Sequence, residues 1–352
     1  MRKHYWIGIV ISVALVYLVI RSVNPESVFA AFKDANLLFL IPALLLYFTG
    51  VFVRAVRWHV LLRPVQTISV RRLFQVLTVG FMANDILPLR AGEAVRAYVL
   101  WNKERVSPGA TVATILVERI FDGLTLTGFL VVGGLLVPLN DSLLLLTRAA
   151  AVIFVVGVLG AVALAIVPQF TLRVTATFLR PFPARLRDLA LRVIASFENG
   201  LHILRSARET GLVLVLSVAA WSLEASVFYM LMFSFPMEAR YVAAVLGAAV
   251  ANLASMIPSS PGYVGTFDVG LLNVLSGTFG VETSLATAYT LLVHVVLVVP
   301  ITALGIVFLW REGLSLKRIT SRESYTERQV TPITPMAHVE DEAEAVARRS
   351  MY

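Results

Sequence analysis

The feature that most constrains this chain is a series of apolar segments, each long enough to cross a lipid bilayer. A helix needs roughly 20 apolar residues to span about 30 Å of hydrocarbon. Six segments meet this requirement: residues 5–22, 37–53, 109–137, 143–167, 211–235 and 284–310. Hydrophobic residues make up 58% of the 352-residue chain, more than a soluble domain of this length can bury. The predicted fold class is therefore an all-α, polytopic bundle of transmembrane helices.

Two further apolar segments, residues 71–101 and 241–276, are interrupted by Pro and Gly. Each consists of a helix, a break and a second short helix, so each is either a pair of half-helices or one kinked span. Lys and Arg near span ends favour the cytoplasm. Arg54 and Arg57 belong to the basic group that is expected at the cytoplasmic end of the second span. The charges thus predict six full spans and two re-entrant hairpins from opposite sides, the first open to the cytoplasm.

The remaining segments complete this topology. Residues 1–22 have the basic start of a signal peptide but no convincing cleavage site, so a retained first span is expected. The basic, amphipathic connection 168–210 is predicted to lie along the cytoplasmic leaflet rather than to form a solvated hairpin. After a transmembrane domain of residues 1–311, the polar residues 312–352 predict a mostly disordered cytoplasmic tail. Both termini would be cytoplasmic, in a prokaryotic plasma membrane.

The two interrupted segments contain similar residues around their breaks. Both "ANDILPLRAGE" (83–93) and "ANLASMIPSSPG" (251–262) place Ala-Asn before a Pro and a Gly. Corresponding interrupted segments in two halves of a membrane protein indicate an inverted repeat, with the binding site where the breaks meet. The match covers few residues, and a fortuitous similarity is the alternative.

Ionisable residues at membrane depth form the candidate site. Each costs several kcal/mol to insert, so such residues pair and face a protein or water-filled interior. The charged set includes Asp85, and His294 is expected to be a satisfied core histidine. The predicted substrate-binding residues are Asn84, Arg90, Glu93, Arg96, Glu118, Arg119, Asp122, Glu224, Asn252, Ser260 and Asp268. The predicted breaks lie at Pro88, Gly92, Pro258, Pro261, Gly262 and Gly265.

The first break, "LPLRAGE", offers a place for a phosphate group. Pro88 removes a backbone donor, Gly92 permits an unusual backbone angle, and the helix restarting near Glu93 exposes amides beside Arg90. Free amides at a helix start together with an arginine can bind a phosphate. The alternative is that Glu93 caps those amides.

Structural roles compete with functional ones at several of these positions. For Arg119 with a neighbouring carboxylate, the alternative is a buried ion pair that only fixes helix packing. Glu224 has a comparable alternative as a hydrogen-bonded interior carboxylate. Three glycines are expected to be helix-packing positions rather than a nucleotide loop: Gly128, Gly133 and Gly134.

Three motifs in order, "NDILPLRAGEAVRAYVL", "ATILVERIFDGLTL" and "IPSSPGYVGTFDVGLL", resemble a flippase-like family. This family includes the transmembrane region of lysylphosphatidylglycerol synthases and the YbhN- and AglD-like membrane proteins, and the resemblance spans most of residues 40–310. The family pattern falls on Asn84, Leu87, Pro88, Arg90, Gly92, Glu93, Arg96, Val117, Glu118, Arg119, Asp122, Pro261, Gly262 and Gly265. Many relatives carry Glu after the last glycine, where this chain has Thr266, Phe267 and Asp268. The resemblance implies movement of a lipid head group across the membrane and does not imply lysyl transfer.

The leading hypothesis is therefore a lipid transporter, a flippase or scramblase, that moves a phospholipid or lipid-linked head group. No catalytic motif is found, so no enzymatic activity, cofactor or metal is predicted. The expected partner is a membrane phospholipid or lipid-linked substrate and not nucleic acid, while a homo-oligomer and a separate lipid-modifying enzyme stay open. The alternatives are a membrane enzyme or accessory subunit acting on a lipid-linked sugar or phosphate, and an ion-coupled transporter of a small solute.

Overall fold

A computed structural model describes residues 25–87, 90–166, 206–256 and 260–311. Within these ranges the chain forms α-helices joined by short turns, without a strand. The helices are α1 Pro25–Lys33, α2 Leu40–Leu62, α3 Val70–Ile86, α4 Gly92–Glu104, α5 Pro108–Leu136, α6 Asp141–Ile166, α7 Ala207–Met232, α8 Tyr241–Ala254, α9 Thr266–Leu275 and α10 Thr283–Arg311. Two 3-10 helices, Leu37–Phe39 and Pro261–Tyr263, precede α2 and α9. The predicted all-α class is confirmed.

Four of the described helical segments are long and apolar enough to cross a membrane. They are Leu37–Leu62, Asp141–Gly160, Ala207–Met232 and Thr283–Arg311, and they match four of the six predicted spans. The predicted span 109–137 is α5, which has 29 residues and carries Glu118 and Asp122. The remaining predicted span, 5–22, lies outside the described residues.

The outward faces of these helices are apolar. Leu45 on α2, Leu145 on α6 and Val299 on α10 each expose more than half of their surface. Charged residues, by contrast, are buried between helices: Arg57, Arg96, Glu118 and Asp122 are each at most 2% exposed. A surface of this kind, with polar groups inside and large apolar side chains outside, fits lipid as the surrounding solvent.

The second span is longer than predicted. The helix α2 continues to Leu62, so Arg54 and Arg57 lie inside it and not at its cytoplasmic end. Apolar residues continue past both arginines, and buried carboxylates on α5 and α7 neutralise them. The prediction from loop charge was wrong here because an arginine with an interior partner carries no information about orientation.

Both interrupted segments form helical hairpins. In the first, α3 and α4 pack against each other, and Arg72 near the start of α3 pairs with Glu104 at the end of α4 (2.7 Å). In the second, α8 and α9 pack together. The number of segments that re-enter the membrane stays a prediction, since the first span and the connection 168–205 lie outside the described residues.

The two hairpins open at opposite ends of α5. The first hairpin ends at Glu104, a few residues before α5 begins at Pro108. At the far end of α5, Asn140 donates a hydrogen bond to Asn273 at the end of α9 (3.0 Å). Because α5 has 29 residues, these ends are about 42 Å apart along its axis.

The element order repeats in the two halves of the described chain. A long helix, a hairpin and a second long helix form the set α2 to α5, and the same order recurs from α7 to α10. The two leading helices, α2 and α7, pack against each other extensively. This order agrees with the predicted inverted repeat, in which the two breaks should meet.

Candidate functional site

The breaks of the two hairpins touch each other. The 3-10 helix Pro261–Tyr263 packs on α3, and a Cβ placed on Gly262 would lie 3.6 Å from the backbone oxygen of Asp85. The Arg90 guanidinium lies 5.3 Å from the centre of the Tyr263 ring. Backbone angles at both breaks depart from helix, with φ of +54° at Arg90 and +68° at Gly262. A positive φ is uncommon for a residue with a side chain, so the fold must hold Arg90 in place.

Side chains satisfy part of the exposed backbone at these breaks. The Asn84 side chain accepts a hydrogen bond from the Gly92 amide (2.8 Å), and the Glu93 amide donates to the Arg90 carbonyl. In the second hairpin, Asp268 accepts from the Gly265 amide (2.8 Å) at the start of α9. Neither the Gly92 nor the Glu93 amide is therefore free for a phosphate, and it is Asn84 rather than Glu93 that caps Gly92.

Gly92 also sets how closely α3 and α4 approach. A Cβ at this position would lie 1.9 Å from the Gly80 backbone oxygen and 2.6 Å from the Asn84 side-chain oxygen. Only a residue without a side chain fits, because a backbone oxygen in a packed helix cannot move aside. The predicted break at Gly92 is thus a point of close helix approach. Pro88 and Pro258 lie outside the described residues.

A cavity of about 130 Å³ lies where the two breaks meet. This volume is several times the ~10–15 Å³ that one water molecule requires. Asp122, one of the lining residues, stands at the midpoint of α5. The acidic and basic residues that line the cavity are Arg54, Asp85, Arg90, Arg119, Asp122, Glu224 and His294.

A buried ion network on α2, α4 and α5 lies along one wall of this cavity, to which it contributes Arg119 and Asp122. Glu118 pairs with Arg96 (2.8 Å), Arg119 (3.1 Å) and Arg57 (3.4 Å). Asp122 pairs with Arg57 (2.5 Å) and Arg119 (3.6 Å). Glu118 alone cannot neutralise the three guanidinium groups of Arg57, Arg96 and Arg119. Asp122 supplies a second negative charge to Arg57 and Arg119.

Aromatic and hydroxyl groups complete this network. Trp221 donates a hydrogen bond to Asp122 (2.8 Å), and Arg57 donates to the Ser217 hydroxyl (2.8 Å). The Arg96 guanidinium stacks 3.9 Å above the Trp58 ring. Buried charges need oppositely charged partners, and each arginine of this network has a carboxylate partner. Arg57, Arg96 and Arg119 each also keep a buried guanidinium nitrogen without a hydrogen-bond partner among the described residues.

A second ion pair joins α2 to α7. Arg54 contacts Glu224 at 2.6 Å and lies over the Trp221 ring at 4.7 Å. Asn252 on α8 donates to the other oxygen of Glu224 (2.8 Å). Both Arg54 and Glu224 line the cavity, so this pair contributes no net charge to it.

The helix α10 is linked to the hairpins by polar contacts. His294 bridges the Asp268 carboxylate and the Gly262 carbonyl, each at 2.7 Å. Thr302 donates to Asp85 (2.7 Å), and Tyr47 on α2 donates to the Leu297 carbonyl (2.7 Å). His294 has a partner at each ring nitrogen, as expected for a satisfied histidine, and it also lines the cavity.

The structure divides the predicted site residues into three groups. Six line the cavity: Asn84, Arg90, Arg119, Asp122, Glu224 and Asn252. Arg96 and Glu118 lie behind them in the ion network, and Glu93 reaches Arg119 at 3.9 Å. Asp268 caps α9 and holds His294, while Ser260 lies beside the break and contacts backbone oxygens. The predicted set is therefore brought together around one cavity, with Ser260 and Asp268 in supporting positions.

Two central residues were missing from the predicted set. Arg54 and Arg57 supply partners for three buried carboxylates, but the charge pattern had assigned them to a span end. Two features of the sequence could have identified Arg54 and Arg57 as interior residues. Apolar residues continue past them to Leu62, and the carboxylates on other spans require cations as partners.

Fold and site together define an integral membrane protein, a helical bundle that gathers its interior charges around a cavity between two hairpins. The family described as the lysylphosphatidylglycerol synthase TM region matches residues 5–305. The chain belongs to this family, and the resemblance inferred from its motifs is confirmed.

Similar proteins come from archaea. The chain is 24% identical to glycosyltransferase AglD of Haloferax volcanii over 322 residues, which cover 82% of this chain and 51% of AglD. It is 26% identical to a UPF0104 membrane protein of Methanothermobacter thermautotrophicus over 85% of this chain and 92% of that protein. The chain thus spans about half the length of AglD and nearly all of the other relative. No solved structure matches it.

Proposed function

We propose that this protein moves a phospholipid or lipid-linked head group between the leaflets of a prokaryotic plasma membrane, as a flippase or scramblase. The observation that carries the proposal is the cavity, with charged residues in its lining, where two oppositely opening hairpins meet. An ionised group in bare hydrocarbon is costly, about 2.5–3.5 kcal/mol per charged residue on insertion scales. A cavity lined by fixed charges lowers this cost for the head group while the acyl chains stay in lipid.

The cavity dimensions support a head group rather than a whole lipid as its occupant. Its volume of about 130 Å³ suits several waters or one small polar group. Hairpins that open at opposite ends suggest access from each leaflet in turn. In this proposal both termini face the cytoplasm, the substrate is the membrane lipid itself, and the protein performs no covalent chemistry.

The test is transfer of a fluorescent phospholipid between leaflets of proteoliposomes, with dithionite quenching of the outer leaflet. Wild-type protein should transfer at least one lipid class faster than empty vesicles do. Arg90→Ala should abolish the transfer, whereas Arg240→Ala, in an exposed ion pair with Glu238, should retain it. Identical rates for protein-containing and empty vesicles across several lipid classes would refute the proposal.

A second candidate, action on a lipid-linked sugar, is favoured by one observation. The relative AglD carries the name of a glycosyltransferase, and this chain spans about half of its length. Incubation of purified protein with lipid-linked acceptors and sugar donors tests this candidate. A glycosylated product, absent from the Asp122→Asn variant, would support an enzyme over a transporter.

A further inference from the structure

The charges that line the cavity divide into paired and unpaired groups. Arg54 is paired with Glu224, and Arg119 with Asp122. Two lining residues of opposite charge remain, Arg90 and Asp85. Within the described ranges, neither has an oppositely charged side chain at salt-bridge distance.

Among the described lining residues, Arg90 is the arginine without a carboxylate partner. Its guanidinium lies over the Tyr263 ring at 5.3 Å, and its Nε atom is buried without a hydrogen-bond partner among the described residues. The backbone at Arg90 has a φ of +54°, so the chain adopts a costly conformation in presenting this side chain at the break. The Nε atoms of Arg57, Arg96 and Arg119 also lack a hydrogen-bond partner within the described ranges, but these three arginines have carboxylate partners. Arg90 lacks both there, which favours an acceptor brought by a ligand, and arginine suits phosphate oxygens.

Asp85 is the corresponding anion. Among the described residues, its carboxylate accepts a hydrogen bond from the Thr302 hydroxyl (2.7 Å), and a hydroxyl cannot neutralise it. The nearby His294 is already engaged by Asp268 and the Gly262 carbonyl. A carboxylate at this depth without a cation at salt-bridge distance favours a ligand that carries one.

We propose that the cavity recognises a zwitterionic head group, with its phosphate at Arg90 and its ammonium group at Asp85. This inference rests on the proposed lipid transport and names the substrate class. A zwitterion matches one unpaired positive and one unpaired negative side chain in an otherwise balanced cavity. A purely anionic head group would leave Asp85 unmatched and would bring a second negative charge beside it.

The test compares phosphatidylethanolamine with phosphatidylglycerol, both labelled on an acyl chain so that the head groups stay native. These lipids share the phosphate and differ in the ammonium group. Wild-type protein should transfer phosphatidylethanolamine about tenfold faster or more, the ratio expected for one charge-assisted hydrogen bond. Asp85→Asn should bring the two rates close together, and Arg90→Gln should slow both. Arg90→Lys, which keeps the charge, should preserve the preference.

The outcomes separate this inference from the proposed function. Transfer of neither lipid by wild-type protein would overturn the zwitterion assignment, and absence of transfer across the wider set of lipid classes would refute lipid transport itself. Equal transfer of both lipids by wild-type protein would overturn the zwitterion assignment and leave transport standing. This comparison needs no variant, so it remains decisive if Asp85→Asn fails to fold.

A binding measurement distinguishes a lipid from a soluble ligand with the same head group. Dihexanoyl-phosphatidylethanolamine should raise the melting temperature of detergent-solubilised wild-type protein more than glycerophosphoethanolamine does at equal concentration. Equal stabilisation by both would overturn the assignment to a lipid. Loss of the lipid effect in Arg90→Gln would support the phosphate position, and an undiminished effect would contradict it.

Discussion

Neutralising Glu118 tests the ion network at the carboxylate that contacts three arginines. The Glu118 carboxylate is 1% exposed and contacts guanidinium groups at 2.8, 3.1 and 3.4 Å. Glu118→Gln keeps the shape of the side chain and removes the charge. Arg57 and Arg119 would keep Asp122, but Arg96, which is 2% exposed, would lose its carboxylate partner. Removing one partner of a buried ion pair costs about 3–5 kcal/mol, so a loss of at least about 3 kcal/mol is expected.

The assay is reversible unfolding in mixed micelles, and Glu238→Gln is the matched control. Glu238 forms an ion pair of similar length with Arg240 (2.7 Å) but is exposed, so its neutralisation should leave stability unchanged within error. The double variant Glu118→Gln, Arg96→Met should recover about 1 kcal/mol or more, because it removes the unpaired cation too. If Glu118→Gln is as stable as Glu238→Gln, the network does not hold the bundle together and the reasoning is refuted.

Two further predictions concern the hairpin and the cavity charge. Gly92→Ala should destabilise the protein by about 1–3 kcal/mol through overpacking against Gly80, whereas Gly128→Ala, with open space around its Cα, should be neutral or stabilising in the same unfolding assay. Comparable losses in both variants would contradict the close approach of α3 and α4. Glu224→Gln should leave Arg54 without its carboxylate partner, as an additional cation in the cavity. The ratio of transfer rates should then shift from phosphatidylethanolamine toward phosphatidylglycerol. An unchanged ratio would show that Arg54 does not face the substrate.

Much of the fold follows from local sequence signals. Runs of about 20 apolar residues predict long helices, and Pro or Gly within an apolar run predicts a break, so the interrupted segments were located correctly. Their residues also carry the family motifs. The helix α1 and the continuation of α2 to Leu62 have weaker signals, because the charges near them resemble those of a loop.

The arrangement of the site depends on contacts distant in sequence. Arg57 meets Asp122 across 65 positions, and Thr302 meets Asp85 across 217. No local pattern encodes such pairs, so the sequence could nominate the buried carboxylates but not their partners. The glycines illustrate the same limit: Gly133 contacts Leu246 as expected of a packing position, whereas Gly128 faces open space and does not pack.

The most direct test of the central claim is water access to the cavity between the hairpins. The chain contains no cysteine, so a single introduced thiol reports one position. Val298→Cys places a thiol on the cavity wall, and Val299→Cys places one on the lipid-facing side of the same helix, where Val299 is 56% exposed. A charged, membrane-impermeant methanethiosulfonate should modify the first in proteoliposomes and spare the second. Absence of reaction at residue 298, or equal reaction at both positions, would contradict a hydrated head-group cavity.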